Sequence, residues 1–120
     1  MSQKICISKN IFIQNSFFKK ATGLMFRKEM SDFAMIFPFN KPIKISITML
    51  FVFYKIDVLM LDEENKVICS AQGLKPFRNY SYVKKANIFI ELPSGTINKF
   101  KIKEGTLISW NKNSLNLIKP

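Results

Sequence analysis

Ile45-Ser46-Ile47-Thr48-Met49-Leu50-Phe51-Val52-Phe53 is the stretch on which the fold reading turns. Alternation along it sets Ile45, Ile47, Met49, Phe51 and Phe53 on one face of an extended strand and Ser46, Thr48, Leu50 and Val52 on the other. The first face is apolar from end to end. The second begins polar and turns apolar.

Downstream, Ile56 to Leu61 reads as the next strand, and the charged turn Asp62-Glu63-Glu64-Asn65 leads into Lys66 to Ala71, so these two form a hairpin. Later strands are expected at Ala86 to Leu92, Phe100 to Ile102 and Thr106 to Trp110, separated by turns at Pro93-Ser94-Gly95 and Glu104-Gly105. Upstream, Phe33 to Phe37 reads as a buried strand ended by Pro38, with a turn at Asn40-Lys41-Pro42, because a proline lacks a ladder donor. Lys4 to Ile7 and Ile11 to Gln14 read as an opening hairpin. Ser16 caps a short helix that runs to about Leu24 and stops near Gly23, with Phe17, Ala21 and Leu24 on one face. Short strands at regular spacing in 120 residues give one domain, mainly β: a compact antiparallel sandwich or barrel-like unit with one short N-terminal helix. No repeat, low-complexity tract or linker divides it.

Charge is the unusual part of the composition. Nineteen Lys and Arg against eight Asp and Glu leave +11, enough to attract acidic or phosphate-bearing partners over a distance. Residues 1 to 60 carry nine bases and three acids and residues 61 to 120 carry ten and five, so neither half stands out. Seventeen of the bases are lysine in a chain also rich in Ile, Asn and Phe, a profile that an AT-rich genome produces without selection for binding. The two arginines, Arg27 and Arg78, gain interest as exceptions.

Cys6 and Cys69 lie far apart in apolar stretches and read as buried free thiols, in keeping with a reducing, cytoplasmic setting. Met1 to Ser16 has no apolar core of signal-peptide length, and the longest apolar run, around Met49 to Tyr54, is too short to span a membrane.

A set of blocks in fixed order carries a family resemblance. These are Ala21-Thr22-Gly23-Leu24-Met25-Phe26-Arg27, Phe33 to Phe37, Met49 to Phe53 with Ile56-Asp57-Val58, Leu74-Lys75-Pro76-Phe77, and Glu91-Leu92-Pro93-Ser94-Gly95-Thr96. Over roughly residues 5 to 110 the chain resembles the uncharacterised family called domain of unknown function 192, its archaeal-type members most. The resemblance implies a compact, mainly antiparallel sandwich or barrel-like domain with a short helix, and brings no activity, cofactor or catalytic set with it. Similar proteins often carry an aspartate where this chain has Thr106, and some archaeal-type members a histidine where it has Thr48.

The chain contains no histidine, which removes imidazole-activated nucleophiles and histidine metal sites. Two distant cysteines cannot build a zinc site, the acids show no calcium or magnesium spacing, and the four glycines are isolated, so no phosphate-cradling loop is present. No catalytic residue, metal ligand or cofactor is assigned, and the enzyme reading, one using carboxylates, ranks last.

Asp57 stands inside an apolar strand, where an unpaired buried carboxylate costs several kcal/mol, roughly. It therefore pairs with an arginine or with a turn amide and fixes register, or it joins Arg27, Arg78, Thr48, Tyr80 and Tyr82 in a polar pocket for a small anion. Bases and aromatics interleave from Lys75 to Lys85, and Lys75, Phe77, Lys84 and Lys85 are the candidate contacts to nucleic acid. The sequence thus points to a non-enzymatic binding module for a small anionic ligand or an acidic partner. Nonspecific nucleic-acid binding through a basic surface is the alternative, and the oligomeric state is left open.

Overall fold

In the computed structural model the described residues are 3–15, 24, 25 and 27–119, together with the backbone but not the side chains of residues 45 and 83. They form eight strands: β1 (Gln3–Ser8), β2 (Ile11–Ile13), β3 (Ala34–Thr48), β4 (Ile56–Leu61), β5 (Val67–Leu74), β6 (Asn79–Pro93), β7 (Leu107–Trp110) and β8 (Leu115–Lys119). One helix, α1, spans Thr96–Phe100. The helix expected over residues 16 to 24 falls almost wholly outside the described residues.

A five-stranded sheet runs β2-β3-β6-β4-β5 and a three-stranded sheet runs β1-β8-β7. All pairs are antiparallel except β2 with β3, which is parallel, and neither sheet closes into a barrel. The fold is therefore mainly β, as expected. The opening hairpin is not formed: β1 pairs with β8 and β2 with β3, so the Ser8-Lys9-Asn10 segment passes the chain from one sheet to the other.

β4 shows what holds the sheet in place, because all six of its residues are buried. Ile56, Val58 and Met60 enter one apolar cluster with Phe33, Met35, Met49 and Phe89. Leu59 and Leu61 point the other way, into a second cluster with Ile36, Ile90 and Leu92 that the smaller sheet completes through Ile108, Leu115 and Leu117. Each such side chain contributes about 1.5–3 kcal/mol on burial, and β4, buried on both faces, joins the two clusters.

Four further expectations change. Phe33 to Phe37 and the strand begun at Ile45 are one long β3; the expected turn at Asn40-Lys41-Pro42 is a register irregularity between Pro38 and Ile43 within it. The long strand also ends sooner than the alternation suggests, at Thr48, because Met49 to Phe53 turn through a left-handed Phe51, φ 56°. Phe100 to Ile102 is not a strand: left-handed Gly95 turns the chain into α1, and Lys101, φ 53°, ends it. Cys6 is exposed and Cys69 half-buried, since β1 turns Ile5 and Ile7 inward and so turns Cys6 out. No helix among the described residues is long and apolar enough to cross a membrane.

Candidate functional site

Asp57 is fully buried, on the face of β4 that meets Leu92. Its Oδ1 accepts the Gly73 N–H at 2.9 Å, and its Oδ2 accepts the N–H groups of Gly95 at 3.1 Å and Ile97 at 3.0 Å. Three amides satisfy the carboxylate without any cation. Of the partners considered for it, the turn amide is the one formed, and Asp57 pins the end of β5 and the turn into α1 to the central strand.

The remaining pocket residues disperse. Arg27 lies on the opposite side of the sheet from Asp57, its guanidinium 5.3 Å from the centre of the Phe12 ring, which packs against the Phe89 cluster. Arg78 is exposed and its carbonyl accepts the Met49 N–H. Thr48 is exposed with Oγ1 accepting the Leu50 N–H, and Tyr80 Oη accepts the Lys75 N–H at 2.9 Å. Tyr82 is half-buried; burial first, then Cys69 and Tyr80, raise its hydroxyl pKa. Thr48, Arg78, Tyr80, Lys75 and Phe77 thus gather at one end of the β3–β6 pair, without Arg27 or Asp57.

That end belongs to a surface with a consistent character. Lys44 opposes Lys85, Ser46 opposes Ser81 and Thr48 opposes Asn79, and all six residues are exposed. The rungs lead to an aromatic group in which Phe77 packs edge-on against Phe51 and Phe53, centroids 6.1 and 5.2 Å apart. These rings are in water: Phe53 is 62% exposed and Phe77 52%. Phe51 and Phe77 both sit at positive φ, 56° and 60°, a conformation that bulky side chains rarely adopt. Amide hydrogen bonds from Val52 and Phe77 to the Met49 carbonyl hold the two turns in that shape.

Charge is segregated on the same strands. Residues 33–56 and 65–90 contain eight bases and not one acid, although the two halves of the chain look balanced. Lys55, Lys75 and Arg78 lie within two residues of Phe53 or Phe77 in the chain, and all three are exposed. Lys84 departs from its neighbour Lys85: its Nζ reaches the Ile68 carbonyl on β5 at 3.4 Å.

A second polar cluster lies on the Phe89 side of the large sheet. Glu91 stands opposite Met35 and Val58, and although part of the residue is accessible, burial pushes its carboxyl up to about 7. The Tyr54 hydroxyl is buried without a hydrogen-bond partner. Its pKa is raised by burial foremost, then by Glu91 and Glu29, with Arg27 acting in the opposite direction. The pair can hold or release a proton near neutrality at Glu91, and no group of three or more potential metal ligands occurs among the described residues.

The family model of domain of unknown function 192, described as an uncharacterised group, matches residues 4–110. The chain belongs to this family. A UPF0127 protein of Pyrococcus horikoshii is 34% identical over 91% of this chain and 94% of its own length. One from Pyrococcus furiosus is 33% identical over 82% and 84%. Two solved structures share the fold: a protein of unknown function from Novosphingobium aromaticivorans has a TM-score of 0.73 at 20% identity, covering 92% of this chain and 74% of its own. A putative transcription regulator from Sinorhizobium meliloti has a TM-score of 0.75 at 14% identity, covering 99% and 93%.

In this member of the domain of unknown function 192 family, sequence reasoning passed over Glu91, Tyr54, Phe51, Phe53 and Lys44 as site residues. Glu91 left a signal, because alternation through Ala86 to Leu92 puts it on the side of Phe89, a carboxylate on a core face. Phe51 and Phe53 left none, since a strand continued to Phe53 assigns both to the core.

Proposed function

We propose that this protein is a binding module for single-stranded nucleic acid, held with little sequence preference along the outer face of β3 and β6. The observation that carries the reading is the three-rung polar face from Lys44 and Lys85 to Thr48 and Asn79, ending in the exposed Phe51, Phe53 and Phe77 rings. Lysines, hydroxyls and an amide on such a face contact phosphate and sugar, and exposed rings stack on bases, which needs no base-specific hydrogen bond. The acid-free composition of both stretches keeps the field positive along the whole track.

Fluorescence anisotropy with labelled single-stranded DNA and RNA, at 50 and 200 mM salt, tests it. Three to five phosphate contacts give a log–log salt slope of about −2 to −4 for a single strand. Phe53→Ala and Phe77→Ala should each weaken binding by about 1–3 kcal/mol, the worth of a stacked base. Absence of binding at low salt, or affinity indifferent to both phenylalanines, rules the reading out.

A further inference from the structure

A cleft of about 570 Å³ opens away from that surface, between the end of β1 and the turn into α1, within the size range of small-molecule sites. Lys9 enters it from beyond β1 and Lys99 from α1. Neither ammonium has a carboxylate within ion-pair distance among the described residues, and Lys99 lies 5.4 Å from the centre of the Phe100 ring. Ser94 supplies an exposed hydroxyl, while Ile7, Pro93 and Phe100 supply apolar wall. Asp32 is the one acid among the lining residues, and its Oδ2 already accepts the Lys9 N–H at 3.2 Å.

The wall is built before any ligand arrives. Asp57 fixes the Gly95 and Ile97 amides from beneath, and the Thr96 hydroxyl donates to the Pro93 carbonyl at 2.6 Å. A turn so held needs little ordering on binding, which favours affinity.

We propose that this cleft binds a small hydroxylated organic anion, a phosphate or carboxylate borne on a short polyol body. Two ammonium groups without carboxylate partners take the anionic head. A lone acceptor-only carboxylate at Asp32 suits hydroxyls and repels a second anionic group. The apolar wall covers the carbon chain. Asp57 serves here as a positioning residue, since it shapes the wall without lining the cleft.

Amide NMR titration of the full chain tests the proposal with glycerol 3-phosphate and glycerate as probes, and inorganic phosphate and glycerol as controls. The expected result is saturable shifts at Lys9, Gly95, Thr96 and Lys99 with at least one of the two acids. Affinity should fall about tenfold or more in Lys9→Gln/Lys99→Gln, the loss of charge-assisted hydrogen bonds. The tighter probe identifies the head group. Lack of saturable shifts, inorganic phosphate binding as well as both probes, or unchanged affinity in the double variant each overturns it. Both lysines are exposed, so the variant should keep the parent's amide spectrum away from the cleft. Phe53→Ala leaves this titration intact and weakens oligonucleotide binding, which separates the two sites.

Discussion

Lys44 on β3 stands directly across from Lys85 on β6, two exposed ammonium side chains on one rung of an antiparallel pair. Like charges so placed oppose sheet formation by a few tenths of a kcal/mol to about 1 kcal/mol. Lys85→Glu should therefore stabilise the protein by roughly 0.5 kcal/mol at low ionic strength, and the gain should fade by 1 M salt. It should also weaken oligonucleotide binding. Urea unfolding at both salts, beside anisotropy, checks the two effects; a variant both less stable and equally good at binding would contradict them.

Asp57 supports three backbone donors at once, so its removal strands all of them. Asp57→Ala should cost about 3–5 kcal/mol, and Asp57→Asn, which retains one acceptor oxygen, about 2 kcal/mol or more. Chemical denaturation measures both. A loss under 1 kcal/mol for the alanine variant would mean that the amides find other acceptors.

Glu91 makes stability depend on pH in a definite direction. Its folded pKa, about 7, is raised above the ordinary 4.5, so the folded chain holds this proton more tightly than the unfolded one. The stabilising contribution is whole below about pH 4.5 and is lost as pH rises through 7. The loss amounts to about 1–3 kcal/mol by pH 8, given that part of the residue is accessible. Glu91→Gln should flatten this limb and be more stable than the parent at pH 8. Urea midpoints at pH 5, 6.5 and 8 measure it, and parallel pH profiles for the two proteins would exonerate Glu91.

Phe77 is held in a left-handed conformation while it is 52% exposed and packs only edge-on against two other exposed rings, so packing offsets the strain only in part. Phe77→Asn, a residue that tolerates this conformation, should leave the melting temperature unchanged or raise it. Oligonucleotide affinity should nonetheless fall about 5-fold or more. A lower melting temperature with full binding would assign the ring a structural role.

The middle of the chain was legible because its forces are local. Ile56 to Leu61 is a strand with the expected bounds, and Asp62 closes the next turn by accepting the Glu64 and Lys66 N–H groups. β6 runs back to Asn79, well before the expected Ala86, since a polar outer face with a half-buried inner one weakens the apolar signal from Tyr80 to Lys85. β8 went unread because its support is remote: it lies between β1 and β7, which flank it only after the whole chain has folded. Asp57 was singled out from its surroundings alone, yet its partners, Gly73, Gly95 and Ile97, are turn amides that no side-chain pattern reveals. The basic track escaped for a geometric reason, as it joins two acid-free stretches that antiparallel pairing lays side by side.

The pairing of Gln3 with Lys119 makes the smaller sheet the least local part of the fold, since β1 has no sheet neighbour but β8, at the other end of the strand order. Closing so long a loop is slow, whereas the larger sheet is built from strands β2 to β6, consecutive in sequence, and can assemble first. Until β1 and β8 meet, the unpaired edge of β1 and the bare Ile90 and Leu92 face of the large sheet are open to other chains, so refolding at high protein concentration sets aggregation against this last docking step.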